Sequence, residues 1–173
     1  VYLFGKNFPG VLHTDGYAGY NAVNAEYRQT CLGHHITKAK ELSAQLDLIP
    51  AEMRDARSVR LCRIIKSFFQ QTCVIAKRFH SGLIPRNKAA LFENRLVSTL
   101  KSICADPCEF EAAETLRAKL LDPEREHNRL FTFLHHEGVH PTNNHSEQSI
   151  RWLVIFRKLC FGTRSKAGSR SLS

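Results

Sequence analysis

The stretch "GVLHTDG", residues 10–16, indicates the class of fold. Its apolar and polar residues alternate, and it ends in Asp15 followed at once by a glycine. This alternation is typical of a half-buried strand, and Asp-Gly favours a turn at its end. A carboxylate at a strand end is held rigidly and stays open to solvent or to a metal ion. The tripeptide "TDG" is also a common turn in which the aspartate bonds its own backbone, so both interpretations of Asp15 are open here.

Downstream of this strand the chain changes from short elements to helices. We predict a short helix in "YAGYNAVNAEY" (17–27) and a second short strand in "RQTCLG" (28–33). From His34 to about His136, apolar residues recur at intervals of three and four, which is typical of amphipathic helices packed on one another. The predicted helices are 35–48, a long segment opened by Pro50, 88–104, 108–121 and 124–136. The predicted buried stripe of the long segment is Val59, Cys62, Ile65, Phe69, Cys73 and Ile75 or Ala76.

A final helix is predicted after the polar loop "EGVHPTNN" (137–144). Asn143 or Asn144 is a good N-cap, and the helix is expected from about His145 to Leu159. A strand-containing unit, a long run of helices and a returning terminal helix together favour one α/β core interrupted by a helical bundle over two independent domains.

The charge of the chain favours a polyanionic partner. Lys and Arg total 25 against 16 Asp and Glu, a formal net charge of +9 over 173 residues. Such an excess favours nucleic acid first and an anionic membrane surface second, with solubility alone as the alternative. The segment "RWLVIFRKLCFGTRSKAGSR" (151–170) contains no acid, and its glycines and serines allow close approach to phosphates. The candidate DNA-binding residues are Arg151, Arg157, Lys158, Arg164 and Lys166.

The cysteines favour a reducing setting. The six of them are not densely spaced, and no apolar run reaches membrane-spanning length, so we expect a cytoplasmic protein with no membrane partner. Cys31 and His34 form a C-x2-H pair, which is half of a possible zinc site. The other half is missing, because Cys104 and Cys108 lie on a different predicted element with no histidine beside them.

Glu147, within "PTNNHSEQSIRW" (141–152), also has two interpretations. It follows Asn144 by three residues, which is nearly a capping box, and Arg151 is placed four residues later for a weak ion pair. Alternatively it is one carboxylate of a metal site shared with Asp15. The two residues are far apart in sequence, so only the fold could bring them together.

Three blocks of sequence, taken in order, resemble the bacterial DDE transposases typified by insertion sequence 66. They are "GVLHTDGYAGYNAV" (10–23), "CLGHHITKAKEL" (31–42) and "GVHPTNNHSEQSIRWLVIFRKLCFGTRSKAGSRS" (138–171). In that family the first block contains the second acid of an Asp-Asp-Glu triad, and the second is a C-x2-H motif that enters a helix. The third block contains the glutamate. The resemblance covers essentially the whole chain, with a divergent helical middle.

The resemblance implies an α/β, RNase H-like core, a mixed sheet with flanking helices, which is incomplete at its N-terminus. The implied domains are 1–33 for part of the core, 34–137 for a large all-helical insertion, and 138–173 for the return to the core with the glutamate helix and the basic tail. Asp15 matches the second acid and Glu147 the third, as catalytic residues that bind Mg²⁺ or Mn²⁺, with two ions in the complete site. The motif positions of unknown role are Cys31, His34, Asn143 and Asn144. Gln148 and Trp152 stand where arginine and proline are common in the family.

The activity implied is metal-dependent DNA cleavage and strand transfer of an insertion sequence, the work of a polynucleotidyl transferase. The implied partners are transposon ends and target DNA, with a homo-oligomer on DNA and a nucleoid-associated location. The family's first acid falls before Val1, so we expect this chain alone to be inactive. The alternatives are a non-catalytic DNA-binding remnant of such a transposase and a zinc-binding interaction module.

Overall fold

The computed structural model describes residues 7–15, 19–20, 23–124, 127–144, 148, 151 and 155. The chain divides into two compact units, Val1–Thr142 and Asn143–Ser173. The described part of the first unit is mixed α/β and mostly helical, with a small parallel sheet of two strands. Its elements are β1 (Asn7–Thr14), β2 (Asn24–Thr30), α1 (Leu32–Asp47), α2 (Ala56–His80), α3 (Ala89–Ile103) and α4 (Glu111–Leu121). Short 3₁₀ turns occur at Ala51–Met53, Arg86–Lys88, His127–Arg129 and Thr132–Leu134.

The two strands pair in parallel from Asn7 opposite Asn24 to Thr14 opposite Thr30, with an irregularity of register between Phe8 and Val11. The prediction of a strand that ends just before Asp15 is therefore confirmed. The helix predicted for 17–27 is wrong at its end, because Asn24 already begins β2 and Tyr27 pairs with Val11 of β1. Pairing with β1 satisfies the backbone groups of this stretch, which a short isolated helix could not do as fully.

The second strand was predicted too far along the chain. Residues 28–30 lie in β2 as expected, but Leu32 and Gly33 already belong to α1. The backbone turns from strand to helix at Cys31, whose φ and ψ of −67° and 110° are those of a helix N-cap.

The hydrophobic core lies mainly between α1 and α2 and is closed by α3, α4 and the segment after α4. On α2 the predicted stripe is confirmed at Cys62, Ile65, Phe69 and Ala76, all completely buried. It is wrong at Val59, which is 37% exposed; the neighbouring Leu61 is buried instead. The helix also begins later than predicted, because Pro50 starts only a 3₁₀ turn and Asp55 caps α2.

The helix predicted for 124–136 is wrong. The described residues of this stretch form two 3₁₀ turns, although Leu130, Phe131, Phe133 and Leu134 are buried as an amphipathic helix would bury them. The backbone N–H of Phe133 donates 2.8 Å to the side-chain Oε1 of Gln29, and the Thr132 hydroxyl donates 2.6 Å to the Arg28 carbonyl. These bonds to β2 replace the hydrogen bonds that an α-helix would form within itself. We call residues 127–141 the return segment.

Gln29 is the main link between β2 and the return segment. Its side chain is fully buried, and its Nε2 donates to the carbonyls of Thr30 at 2.8 Å and Leu130 at 3.0 Å. With the bond from Phe133, both ends of the amide are satisfied by backbone groups. A buried amide with full partners contributes to a specific structure, whereas removing it would leave several buried backbone groups unsatisfied.

A helix is confirmed at the four described positions of the second unit that follow Asn143. Asn144, Gln148, Arg151 and Ile155 are all helical and exposed, which agrees with the helix predicted from about His145 to Leu159. The other residues of that predicted helix lie outside the described residues. Within the part of the chain that the structure describes, no helix has the length and apolar character needed to span a membrane.

We predict that Gln29→Leu lowers the free energy of unfolding by about 3 kcal/mol, because a same-sized apolar side chain leaves buried backbone donors and acceptors without partners. Urea titration measures the effect. The control is Glu26→Leu, an exposed position of the same strand, which should change it by less than about 0.5 kcal/mol. Equal stability of the two variants would contradict the role given to Gln29.

Asp55 stabilises the start of α2 and ties it to the residues before α4. Its carboxylate accepts the backbone N–H groups of Arg57 at 3.1 Å and Ser58 at 3.0 Å, the Ser58 hydroxyl, and the N–H of Glu109 at 2.9 Å. Partial burial raises the pKa of this carboxyl, but the bonds from the Ser58 hydroxyl and from the backbone outweigh it and lower the pKa from 3.8 to about 2. The ionised form is therefore the one that caps the helix.

We predict that Asp55→Asn destabilises the protein by about 1 kcal/mol at pH 7, because an amide has one acceptor oxygen where the carboxylate uses two, and its bonds are not charge-assisted. The folded pKa is depressed, so the wild-type contribution is present above about pH 4 and is lost as the pH falls towards 2. The gap between wild type and variant, measured by thermal melts, should narrow over that range. Glu41→Gln, at an exposed position of α1, is the control; a gap that stays constant down to pH 2 would refute the assignment.

Candidate active site

The candidate site is the edge of the sheet where β1 and β2 end. Asp15 follows β1 directly and is exposed. Cys31 follows β2 directly, and its backbone N–H donates 2.8 Å to the carbonyl of Thr14. Because parallel strands end on the same side of a sheet, the first and second sequence blocks meet at this edge.

The C-x2-H pair lies where β2 turns into α1. Cys31 is 1% exposed, and its side chain makes no capping hydrogen bond to α1. The N–H of His34 donates 3.2 Å to the Cys31 carbonyl, and the imidazole of His34 is on an exposed position of the first turn. In the structure, Cys31 thus serves as a small buried residue at the point where the chain turns from β2 into α1.

The return segment brings the third block to the same edge. The backbone N–H of Leu32, the first residue of α1, donates 2.9 Å to the carbonyl of Pro141. Leu32 adjoins Cys31, which is bonded to the last residue of β1. Two backbone hydrogen bonds, from the neighbouring residues Cys31 and Leu32, therefore connect the strand that precedes Asp15 with the start of "PTNNHSEQSIRW".

The return segment is also held from the helical side. The Nε2 of His80, the last residue of α2, donates 3.1 Å to the carbonyl of Val139. Arg86 donates to the carbonyls of Phe133 at 3.3 Å and Leu134 at 3.1 Å. The path of residues 133–141 is thus determined by contacts from β2, α1 and α2 together.

His13, His80 and His140 lie near the candidate edge, and the sequence patterns did not point to them. The rings of His80 and His140 stack with centroids 4.6 Å apart and an interplanar angle of 23°. Burial, reinforced by His140 and His34, lowers the pKa of His13 to about 4. The ring of His13 is therefore neutral at pH 7 and adds no positive charge two residues before Asp15. The signal was present in "LHTD", where a histidine occupies the last but one position of the strand.

The predicted site residues fall partly outside the described residues. Asn143 is half-buried and Asn144 and Arg151 are exposed, in the second unit. Glu147 lies outside the described residues, as do the candidate DNA-binding residues Arg157, Lys158, Arg164 and Lys166. The pairing of Asp15 with Glu147 therefore stays a prediction.

The carboxylate of Asp15, at this edge of the sheet, is a suitable ligand for a hard metal cation. A carboxylate oxygen at an exposed strand end is the ligand that Mg²⁺ and Mn²⁺ prefer. Among the described residues no group of three or more His, Cys, Asp or Glu side chains could hold a metal ion by itself. Asp15 can thus provide one ligand for such an ion. Further carboxylates would have to complete the coordination of the ion.

Cys62, Cys73 and Cys104 show the properties of structural cysteines. Burial raises the pKa of Cys62 and of Cys73 to about 11, and that of Cys104 to about 12. Cys104 lies at the end of α3, where its carbonyl accepts 2.8 Å from Arg117 of α4. Protonated, buried thiols are poor metal ligands and poor nucleophiles.

Comparison with models of protein families identifies the family of this chain. A family model described as "Transposase IS66 family" matches residues 2–171. The chain belongs to this family. Comparison with curated proteins and with solved structures gave no significant match. The resemblance stated from the sequence blocks is therefore confirmed, and the edge of the sheet is the part of this IS66-family chain where those blocks meet.

We predict that His80→Ala speeds amide hydrogen exchange in residues 137–141 by about five- to tenfold, because the return segment loses its hydrogen bond to α2. Exchange measured by mass spectrometry should leave the middle of α2 unchanged. Lys77→Ala, at an exposed position one turn earlier, serves as the control. Exchange in 137–141 equal to that of the wild type would show that His80 does not hold the segment.

Proposed function

We propose that this chain forms the part of a DDE transposase active site that contains the second and third carboxylates, Asp15 and Glu147. The reaction is cleavage of DNA at the ends of an insertion sequence, followed by transfer of the 3′ ends to target DNA. The observation that carries the proposal is the bond from Leu32 to Pro141, which holds the start of the glutamate block at the strand edge next to Asp15. The family match supports a transposase function.

The fold that goes with this proposal is an RNase H-like core with a helical insertion. In it, residues 1–33 and 138–173 belong to the core, and residues 34–137 are the insertion. A parallel pair of strands followed by helices that return to the same sheet edge supports this division. The insertion would begin where Cys31 ends β2 and finish where the return segment reaches Pro141.

The site would bind Mg²⁺ or Mn²⁺ through carboxylate oxygens. Two such ions, when bound, activate the attacking hydroxyl or water and stabilise the leaving oxygen of an in-line phosphoryl transfer. Asp15 contributes a ligand whose backbone is fixed by β1, so its carboxylate stays at the strand edge without a large loss of side-chain freedom. The neutral ring of His13 leaves the negative charge of this edge available to cations.

The remaining residues of the site would position the carboxylates and the DNA. Thr14 accepts from Cys31 and Pro141 accepts from Leu32, so the backbone of both carboxylate-bearing segments is tied to the start of α1. Arg151 and the basic tail neutralise phosphates, which gives affinity without sequence information. The partners proposed are transposon ends and target DNA, bound by an oligomer of this protein.

We predict that Asp15→Asn and Glu147→Gln each weaken Mn²⁺ binding about tenfold or more, since each removes a charged oxygen ligand. Electron paramagnetic resonance of free Mn²⁺ during titration measures the affinity without requiring DNA cleavage.

The control is Glu26→Gln, an exposed acid on β2 away from the strand ends, which should bind Mn²⁺ like the wild type. Unchanged Mn²⁺ binding in Asp15→Asn or in Glu147→Gln would refute the proposal.

A further inference from the structure

The charge of α2 is unusual for a helix. It has 25 residues, and its sequence contains six Lys or Arg and no Asp or Glu. The cations are Arg57, Arg60, Arg63, Lys66, Lys77 and Arg78. All are exposed except Lys66, which is half-buried. None of them has a carboxylate partner within ion-pair distance among the described residues.

Four of these six cations share one face of the helix. At 3.6 residues per turn, Arg60, Arg63, Lys77 and Arg78 fall within an arc of about 100°. The other residues of this arc are Ser67, Gln70 and Val74, all exposed. The opposite side, with Ile65 and Phe69, is buried in the core. We call the exposed arc from Arg60 to Arg78 the basic face.

Helix stability does not account for the basic face. Cations near a helix C-terminus interact favourably with the macrodipole, which explains Lys77 and Arg78. Arg57 lies in the first turn, where the same dipole disfavours a cation, and the first turn contains no acid that would offset Arg57, Arg60 or Arg63. Among the described residues, Asp55 forms no ion pair with any of the three. A local arrangement that works against stability indicates another role.

The position of α2 connects the basic face to the candidate site. His80 ends the helix and bonds to Val139, two residues before Pro141. Lys77 and Arg78 are therefore within one turn of the residue that contacts the return segment. From Arg78 to Arg60 the face extends for about 27 Å, the rise of about eight base pairs of duplex DNA.

We infer that the basic face of α2 binds the phosphate backbone of duplex DNA next to the active-site edge; this rests on the proposed transposase function. The exposed arc contains cations and amide or hydroxyl donors, which suit phosphate oxygens. It contains no aromatic residue on which unpaired bases would stack, so a duplex backbone fits it better than a single strand. Its only apolar residue is Val74, whereas an interfacial membrane helix inserts several large apolar side chains.

The test compares two triple variants with the same change of charge. The α2 variant is Arg60→Gln, Arg63→Gln and Arg78→Gln; the control, on and next to α3, is Lys88→Gln, Arg95→Gln and Lys101→Gln. All six side chains are exposed, so both variants should melt close to the wild type. The probe is a fluorescent 30-base-pair duplex of arbitrary sequence, and anisotropy gives the affinity from 50 to 300 mM KCl.

We expect the α2 variant to reduce the slope of log affinity against log salt by about two to three, and the affinity at low salt by at least about tenfold. In the α3 variant, the salt slope and the affinity at low salt should each change by no more than about a third of the change seen in the α2 variant. An Arg→Lys triple at the three α2 positions keeps the charge and should retain the wild-type slope.

Several results would overturn the inference and also show where it failed. If the wild type binds duplex DNA and both Gln variants lose affinity equally, only net charge matters and the basic face is not a binding surface. If the α2 variant loses binding to vesicles with 30% phosphatidylserine but not to DNA, the partner is a membrane. If the wild type binds no duplex at any salt concentration, the DNA partner of the proposed function fails as well. Loss of Mn²⁺ binding in Asp15→Asn would still test the active site separately.

Discussion

The buried amide of Gln29 is the contact on which the rest of this structure depends. The return segment cannot pair with β2 as a strand, because its described residues form 3₁₀ turns with backbone groups that need partners. Gln29 supplies both a donor and an acceptor at one point, to Leu130 and Phe133. Closing a loop of more than a hundred residues has a large entropic cost. Buried hydrogen bonds in which every polar atom has a partner offset part of this cost.

As a consequence, the helical region begins and ends at the same edge of the sheet. α1 starts at Leu32 directly after β2, and the chain comes back to Leu32 at Pro141. Between these points α2 packs against α1, α3 and α4, and the shared core includes Ile65, Phe69 and Leu100. The geometry of the candidate edge therefore depends on a few backbone and amide contacts, while the helices can supply the core with many apolar sequences of suitable volume.

Much of the fold could be predicted from local patterns. The strand before Asp15 and the helices α1, α3 and α4 follow from alternation or three-to-four spacing, and their observed ends lie within a few residues of the predicted ones. The return segment could not be predicted in this way. Its apolar residues have helical spacing, but the hydrogen bonds that decide its conformation come from Gln29 and Arg28, whose positions in sequence reveal nothing about such a contact.

The candidate site was only partly accessible from sequence for the same reason. Asp15 could be proposed from its place after a strand, whereas the surroundings of His13, with His34 and His140 nearby, arise only when three distant segments meet. The role of Cys31 as a buried turn residue is likewise a product of the fold, since C-x2-H spacing alone suggests metal binding.

The distribution of charge relates the candidate metal site at Asp15 to the basic face of α2. A net charge of +9 would weaken a site for divalent cations if it were concentrated around Asp15. At the described sheet edge the imidazole of His13 is kept neutral by burial, while the exposed cations of α2 lie on the side of the helix that faces away from the core. A phosphate backbone on that face would be neutralised without placing a protein cation between Asp15 and a metal ion. An enzyme that must bind both a polyanion and the divalent ions that act on it requires this separation.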